Sequence, residues 1–180
     1  LLLHLAVTDD ANQYLVCLNF EDRKLFAQQL PDNFSCRWFS ARPRIIRFFF
    51  QQLILPVVTW LWKADVVHSP AFIMPFVRGK AGHALTIHDM TSFSHPECHN
   101  ALRRSSLYLS LVRASMRRAD IVIAPSAATA KAILAFMPEI SPTRIHQTPL
   151  GISKDFHPAA PEAIDEARAR LKLPAHFVLY

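Results

Sequence analysis

The sequence predicts an α/β fold in which a parallel sheet carries helices on both faces. Short apolar runs alternate with segments of helical length, as in βαβ units. Of the 180 residues, 51% are hydrophobic, which is enough for a substantial core. Only 3 residues are glycine, so neither the glycine-rich dinucleotide loop nor the P-loop can be written. The same composition excludes collagen, flexible linkers and intrinsic disorder.

Each element is predicted from its apolar pattern and its flanking residues. Strands are expected where short apolar runs end in turn residues, at 14–19, 35–39, 65–68, 83–88, 120–124, 144–148 and 177–180. Helices are expected between them, at 21–29, 44–62, 100–118, 126 to about 137, and 161–173. Ser126 is a suitable N-cap for the fourth of these helices. The first five residues resemble the end of an amphipathic helix rather than a signal peptide.

The positive charge is concentrated in one third of the chain. The net charge is +6, and residues 33–89 contain most of the imbalance. The basic residues there are Arg37, Arg42, Arg44, Arg47, Lys63, Arg78 and Lys80, against Asp65 and Asp89. This segment indicates either an anionic partner or an ordinary solvated surface. Nucleic-acid binding is not predicted, because the nearby aromatic residues follow a helical pattern that is typical of a core.

The predicted helix at 44–62 allows two interpretations. Arg47, Gln51, Gln52 and Pro56 argue against a membrane span. The helix either packs on the sheet or lies at an anionic membrane surface, with Arg42, Arg44 and Arg47 at the headgroups and phenylalanines below them. The cysteines, Cys17, Cys36 and Cys98, are odd in number and widely spaced, which favours free thiols and a cytoplasmic location.

Polar residues follow several of the predicted strands, at the edge where parallel sheets bind ligands. They include Ser69, His88, Asp89 and Ser126, and His88 is the strongest candidate. His88 has four open interpretations: a general base, a metal ligand, a loop residue without a role, or a neutral imidazole that bonds to a substrate hydroxyl or phosphate. A metal site would add His83, His95, Cys98 and His99, whose spacing matches no usual zinc pattern, so no metal ligands are predicted. Neither Ser69 nor Ser126 lies in a nucleophile motif.

Four motifs in matching order then resemble a known family. They are ADVVHSP at 64–70, LTIHDM at 85–90, RADIVIAPS at 118–126, and TRIHQTPLGI at 143–152 followed by FHP at 156–158. Together they are similar to the amino-terminal domain of GT-B family 4 (group 1) glycosyltransferases, and the similarity is densest from Ala64 to Pro158.

The resemblance implies a two-domain enzyme with a Rossmann-like acceptor domain over 1–158, from which the first strand is missing. Residues 159–180 would be a linker helix and the first strand of a missing nucleotide-sugar-binding domain. The implied reaction is hexosyl transfer from a nucleotide sugar to a glycan or lipid-linked acceptor, with retained configuration, in cell-surface polysaccharide or glycolipid synthesis. His88 matches the family histidine in the active cleft. Substrate contacts are expected at Ser69, Asp89, Ser126 and Gly151, with no cofactor and no metal.

Some residues depart from the family pattern. The family often has an acidic residue after the serine at Ser126, where this chain has Ala127. Its glycine-rich loop would precede Leu1 and its donor pocket would follow Tyr180, so the 180 residues alone are expected to be inactive. The alternatives are a non-catalytic sugar- or lipid-binding module of the same fold, or a basic nucleic-acid-binding module.

Overall fold

The computed structural model describes residues 2–26, 30–40, 43–152, 156–174 and 176–178. The chain forms two compact units, Leu1–Thr148 and Pro149–Tyr180. All the described strands lie in the first unit, and the described part of the second contains one helix, α8 (Pro161–Leu171). The organisation into 1–158 and 159–180 stays a prediction.

Strands and helices alternate along the first unit. Its described strands are β1 (Tyr14–Asn19), β2 (Phe34–Phe39), β3 (Val66–Ser69), β4 (Gly82–Thr86), β5 (Ile121–Ala124) and β6 (Ile145–Gln147). Its described α-helices are α1 (Leu2–Thr8), α2 (Arg23–Phe26), α3 (Arg44–Phe49), α4 (Leu55–Leu61), α5 (Thr91–Ser94), α6 (Ser106–Arg118) and α7 (Ala127–Phe136). Short 3₁₀-helical turns lie at Phe20–Asp22, Pro96–Cys98 and Pro142–Arg144.

Every described strand pair is parallel, which confirms the predicted fold class, but the strands form two sheets rather than one. β1 pairs with β2 along its whole length. The other sheet has the order β3-β4-β5-β6, with Ser69 opposite Leu85 and Thr86 opposite Ile123. Because its strands are parallel, their carboxyl ends meet at one edge.

The core lies between the four-stranded sheet and helices α6 and α7. Alternate residues of β4 and β5 are buried, because successive side chains of a strand point to opposite faces and one face packs fully into the core. The buried core residues are Met74, Leu85, Ile87, Met90, Val112, Met116, Ala119, Val122, Ala124, Ile133, Met137 and Ile140. Arg144, at the start of β6, donates through its guanidinium to the last carbonyls of α6, where a cation is favoured.

The residues predicted as one helix over 44–62 form a helix in three parts. A π-helical turn, Phe50–Ile54, lies between α3 and α4. The wider turn ends two residues before Pro56, which has no N–H to donate to the carbonyl of Gln52. Lys63, with a φ of 55°, then ends the helix and turns the chain into β3.

Of the arginines predicted to meet a membrane, Arg47 is exposed on α3. Arg42 and the side chain of Arg44 lie outside the described residues. Among the described residues, no helix combines the length and the apolar content that a bilayer crossing needs.

Several predicted boundaries were wrong. The helix predicted from 100 begins at Ser106, because Ser105 caps it by accepting a hydrogen bond from the Tyr108 N–H at 3.2 Å. The strand predicted to reach 88 ends at Thr86, so His88 lies beyond it. Residues 177–178 are not a strand, and 179–180 lie outside the described residues, as do 27–29 of the helix predicted over 21–29.

At the amino edge of the sheet, the Asp120 carboxylate holds two chain segments. It accepts hydrogen bonds from the His83 backbone N–H at 2.7 Å and from the Arg78 guanidinium. Arg78 also donates to the Arg118 carbonyl at 2.7 Å. The hydrogen bonds from His83 and then Arg78 lower the pKa of Asp120 from its ordinary value of 3.8, since both stabilise the charged form.

We expect Asp120→Asn to lower the free energy of unfolding by about 1 kcal/mol near neutral pH, because the charged acceptor is lost. The folded protein holds the Asp120 pKa below 3.8, so this stabilisation is complete above that pH and is lost as the pH falls through the folded pKa. Urea titrations of both proteins at about pH 7 and about pH 3 should therefore show the difference shrinking. An equal difference at both pH values would contradict the assignment.

Candidate active site

The candidate site lies where β3, β4 and β5 end at the carboxyl edge. The chain leaving β4 stays bound to β5, because the Ile87 N–H donates to the Ile123 carbonyl at 2.9 Å. The chain leaving β3 returns to β4, where the Phe72 N–H donates to the Thr86 carbonyl at 3.1 Å. His88 comes next after Ile87 and is exposed. A polar, accessible side chain thus follows directly on a buried one.

The His88 side chain is oriented by a backbone carbonyl. Its Nε2 lies 2.8 Å from the Pro70 carbonyl oxygen, in the segment that follows β3. A carbonyl oxygen can only accept, so Nε2 carries the hydrogen and Nδ1 of the neutral ring is the acceptor. The His88 backbone carbonyl in turn accepts from the Thr129 hydroxyl of α7 at 3.2 Å. The segment after β3, the segment after β4 and helix α7 therefore together position the His88 imidazole.

Phe72 packs against His88 in a strained conformation. The two ring centroids are 6.0 Å apart, in an edge-to-face arrangement. Phe72 has a φ of 44°, and the Ile73 N–H donates back to the Ala71 carbonyl to close a γ-turn around it. A positive φ is a genuine outlier for a bulky residue, and such strain concentrates at functional sites. The Arg103 guanidinium also lies over the Phe72 ring, 5.3 Å from its centroid.

The Asp89 carboxylate bonds to Thr91, whereas His88 bonds to the Pro70 carbonyl. Its Oδ1 accepts from the Thr91 backbone N–H at 2.9 Å and from the Thr91 hydroxyl. Because that hydroxyl donates to the carboxylate, His99 Nε2, 2.8 Å away, must donate to Thr91. Burial raises the pKa of Asp89, but the Thr91 hydrogen bonds and the charges of Arg103 and His99 outweigh it, so the net pKa is lowered.

The other predicted ligand residues fall in three different settings. Ser126 is the N-cap of α7, where its Oγ accepts from the Thr129 N–H at 3.1 Å. Ser69 ends β3 and is only 4% exposed, which leaves its hydroxyl little accessible surface. Gly151 lies in the second unit and is exposed, with open space where a Cβ would be. Ligand roles for Ser69, Asp89, Ser126 and Gly151 stay predictions.

The histidines considered as metal ligands lie in separate settings, and Cys98 is an exposed free thiol. His83 is buried on β4, His99 bonds to Thr91, and His95 lies 3.3 Å from Glu97. Within the described ranges, no group of three or more His, Cys, Asp or Glu residues is placed to hold a metal ion.

Two contributors to the site were missed from the sequence. Thr129 could have been anticipated, because it stands three residues after the N-cap Ser126, on the helix turn that faces the strand ends. The sequence around Phe72 contains no pattern that predicts its role, because its γ-turn and its contact with His88 form only when two distant segments of the chain meet.

Comparison with known proteins agrees with this geometry. Residues 10–156 match a family model described as Glycosyltransferase Family 4. The match covers most of the chain and includes every described strand as well as His88. No curated protein matches the chain significantly.

We expect the neutral form of His88 to carry its hydrogen on Nε2, because the Pro70 carbonyl accepts from that nitrogen. Heteronuclear NMR of the ring nitrogens in the neutral ring should show Nδ1 as the unprotonated nitrogen. A ring protonated mainly on Nδ1 would contradict the assignment.

We expect Ser126→Ala to reduce the free energy of unfolding by about 1 kcal/mol, since the cap of α7 is lost. Ser126→Asp should retain most of the stability, because a carboxylate also accepts from the first-turn N–H groups. Ser110→Ala, at an exposed position within α6, serves as the control in thermal unfolding. Equal stability of Ser126→Ala and the native protein would refute the capping role.

Proposed function

The chain belongs to glycosyltransferase family 4, and on that premise we propose that it transfers a glycosyl group from a nucleotide-sugar donor to a glycan or lipid-linked acceptor. The transferred group is a hexosyl unit, and the product belongs to cell-surface polysaccharide or glycolipid synthesis. The nucleotide sugar is a substrate, bound through a second domain, and the reaction needs no separate cofactor or metal.

The observation that carries this proposal is the state of His88. Its Nε2–H is engaged by the Pro70 carbonyl, while none of the described residues donates a hydrogen bond to Nδ1. An exposed imidazole fixed in this way offers one oriented acceptor at the edge where parallel sheets bind ligands. We assign Nδ1 to a sugar hydroxyl, which the imidazole orients without taking its proton.

The transfer proceeds with retained anomeric configuration. The acceptor oxygen forms a bond to the anomeric carbon as the bond from that carbon to the diphosphate oxygen breaks. The proton of the acceptor hydroxyl passes to the departing diphosphate. Asp89 does not take this proton, because its carboxylate already accepts from Thr91 and its pKa is lowered.

The proposed setting is the cytoplasmic face of a membrane. The free cysteines Cys17, Cys36 and Cys98 suit a reducing compartment. The basic segment suits an anionic partner, either a lipid-linked diphosphate or the membrane that holds it, met through Arg42, Arg44 and Arg47.

We expect His88→Ala, in the full-length protein, to lower kcat/KM for sugar transfer by roughly 100-fold while leaving the thermal midpoint nearly unchanged. His88→Asn places a polar atom close to the Nδ1 position, whereas His88→Gln places one close to Nε2. Because Nδ1 is the substrate acceptor, His88→Asn should keep more activity than His88→Gln. The readout is radiolabelled sugar transfer, with the product anomer identified by proton NMR.

His4→Ala, at an exposed histidine on α1, is the control and should match the native rate. A native rate for His88→Ala would remove His88 from the mechanism. An inverted product anomer would overturn the retaining course.

A further inference from the structure

The helix formed by α3, the π-turn and α4 is oriented with its apolar side outward. Nine large apolar residues between 45 and 62 are exposed, and six of them, each three or four positions from another of the six, define one side that is here called the outer face. The outer face consists of Ile46, Phe49, Leu53, Val57, Trp60 and Leu61. Leu53 and Trp60 are 63% and 69% exposed.

The opposite side of the same helix contains its polar groups and faces the protein. The Gln52 amide donates to the Met74 carbonyl at 3.1 Å, and its oxygen accepts from the Phe76 N–H at 2.9 Å. The neighbouring Gln51 amide donates to the Ile73 carbonyl. Phe50 also turns inward, with its ring centroid 4.3 Å from that of Phe39 on β2. These contacts fix the rotation of the helix, so the outer face cannot turn inward without breaking them.

An apolar stripe of this length is unfavourable in water, because the free-energy cost of exposed apolar surface grows with its area. Monomeric proteins seldom leave large contiguous apolar patches exposed, and such patches mark interaction surfaces. The outer face therefore indicates a partner that is itself apolar.

The charges around the outer face specify that partner further. The sequence from 33 to 64 contains no aspartate or glutamate. Exposed cations stand at both ends of the helix, Arg47 at the start and Lys63 just after the end. Lys63, Lys80 and Trp60 line one cleft of about 540 Å³, together with Asp65. An apolar stripe between cations, with tryptophan at one end, suits the boundary between anionic headgroups and acyl chains.

We propose that the outer face lies in the surface of an anionic lipid membrane, with the helix parallel to the bilayer plane and Arg47 and Lys63 at headgroup level. The inference deepens the proposed function, since it names the surface on which a lipid-linked acceptor would be met. It depends on exposure and charge rather than on transfer chemistry.

A second copy of the chain suits this surface less well. In a two-fold dimer through the outer face, the helices would meet without any carboxylate from 33–64 to offset their cations. Lipid phosphates supply the missing negative charge.

The test is flotation of the full-length protein with vesicles of phosphatidylcholine, with and without phosphatidylglycerol. The native protein should float with the anionic vesicles, and less so as salt is raised. Leu53→Glu combined with Trp60→Glu should weaken that binding at least about tenfold, because two apolar side chains can no longer be buried. Val7→Glu combined with Leu107→Glu is the matched control, since both residues are highly exposed on other helices. This control should float like the native protein.

Brominated lipids should quench the tryptophan fluorescence of the native protein, and Trp60→Phe should lose much of that quenching. Thermal unfolding verifies that each variant is folded, as expected for exposed positions. A native protein that stays in the aqueous fraction overturns the proposal, as does a Leu53→Glu, Trp60→Glu variant that floats normally. Self-association that this variant abolishes, without vesicle binding by the native protein, would assign the outer face to a second copy.

Failure of this proposal can be told apart from failure of the proposed function. Sugar transfer to a water-soluble acceptor tests the reaction without a membrane. Activity there without flotation rejects only the membrane contact, whereas flotation with an unaffected His88→Ala rate rejects only the assigned chemistry.

Discussion

The segment from Pro70 to Phe76 is the constraint on which the rest of the first unit depends. It has no regular secondary structure, yet Met74 is fully buried at its centre. Buried backbone polar groups need partners, and without a regular strand or helix several of the partners here are side chains. They are supplied from three directions: Ser115 Oγ accepts from the Met74 N–H at 3.2 Å, Gln51 and Gln52 meet the segment from the helix, and His88 donates to its first carbonyl.

This requirement explains why a helix rich in large apolar residues presents them to solvent. A helix has only one side facing the protein, and here that side must contain the two glutamines that satisfy the segment. The π-turn widens the helix at Gln51 and Gln52, where both side chains reach consecutive carbonyls. Because an unpartnered buried carbonyl costs free energy comparable to a lost hydrogen bond, these contacts hold the apolar stripe outward.

The strands of the first unit could be predicted from the sequence to within two residues at their ends, because apolar runs between turn residues depend on local pattern. The position of His88 at the strand ends followed from parallel pairing alone. Its partner did not, since the Pro70 carbonyl reaches it only through the three-dimensional course of 70–76. Periodicity also showed that the helix at 44–62 was amphipathic without showing which side faced the protein. Which side faces the protein depends on the backbone groups of 70–76, because Gln51 and Gln52 must reach their carbonyls.

The same segment joins the candidate site to the side of the helix that faces the protein. Pro70 and Phe72 contact His88, while Ile73 and Met74 accept from the helix immediately afterwards in the chain. Between them lies the strained γ-turn at Phe72, whose positive φ persists only while both flanks are held. Gln51 and Gln52 therefore hold the two carbonyls that directly follow the turn packed against the imidazole.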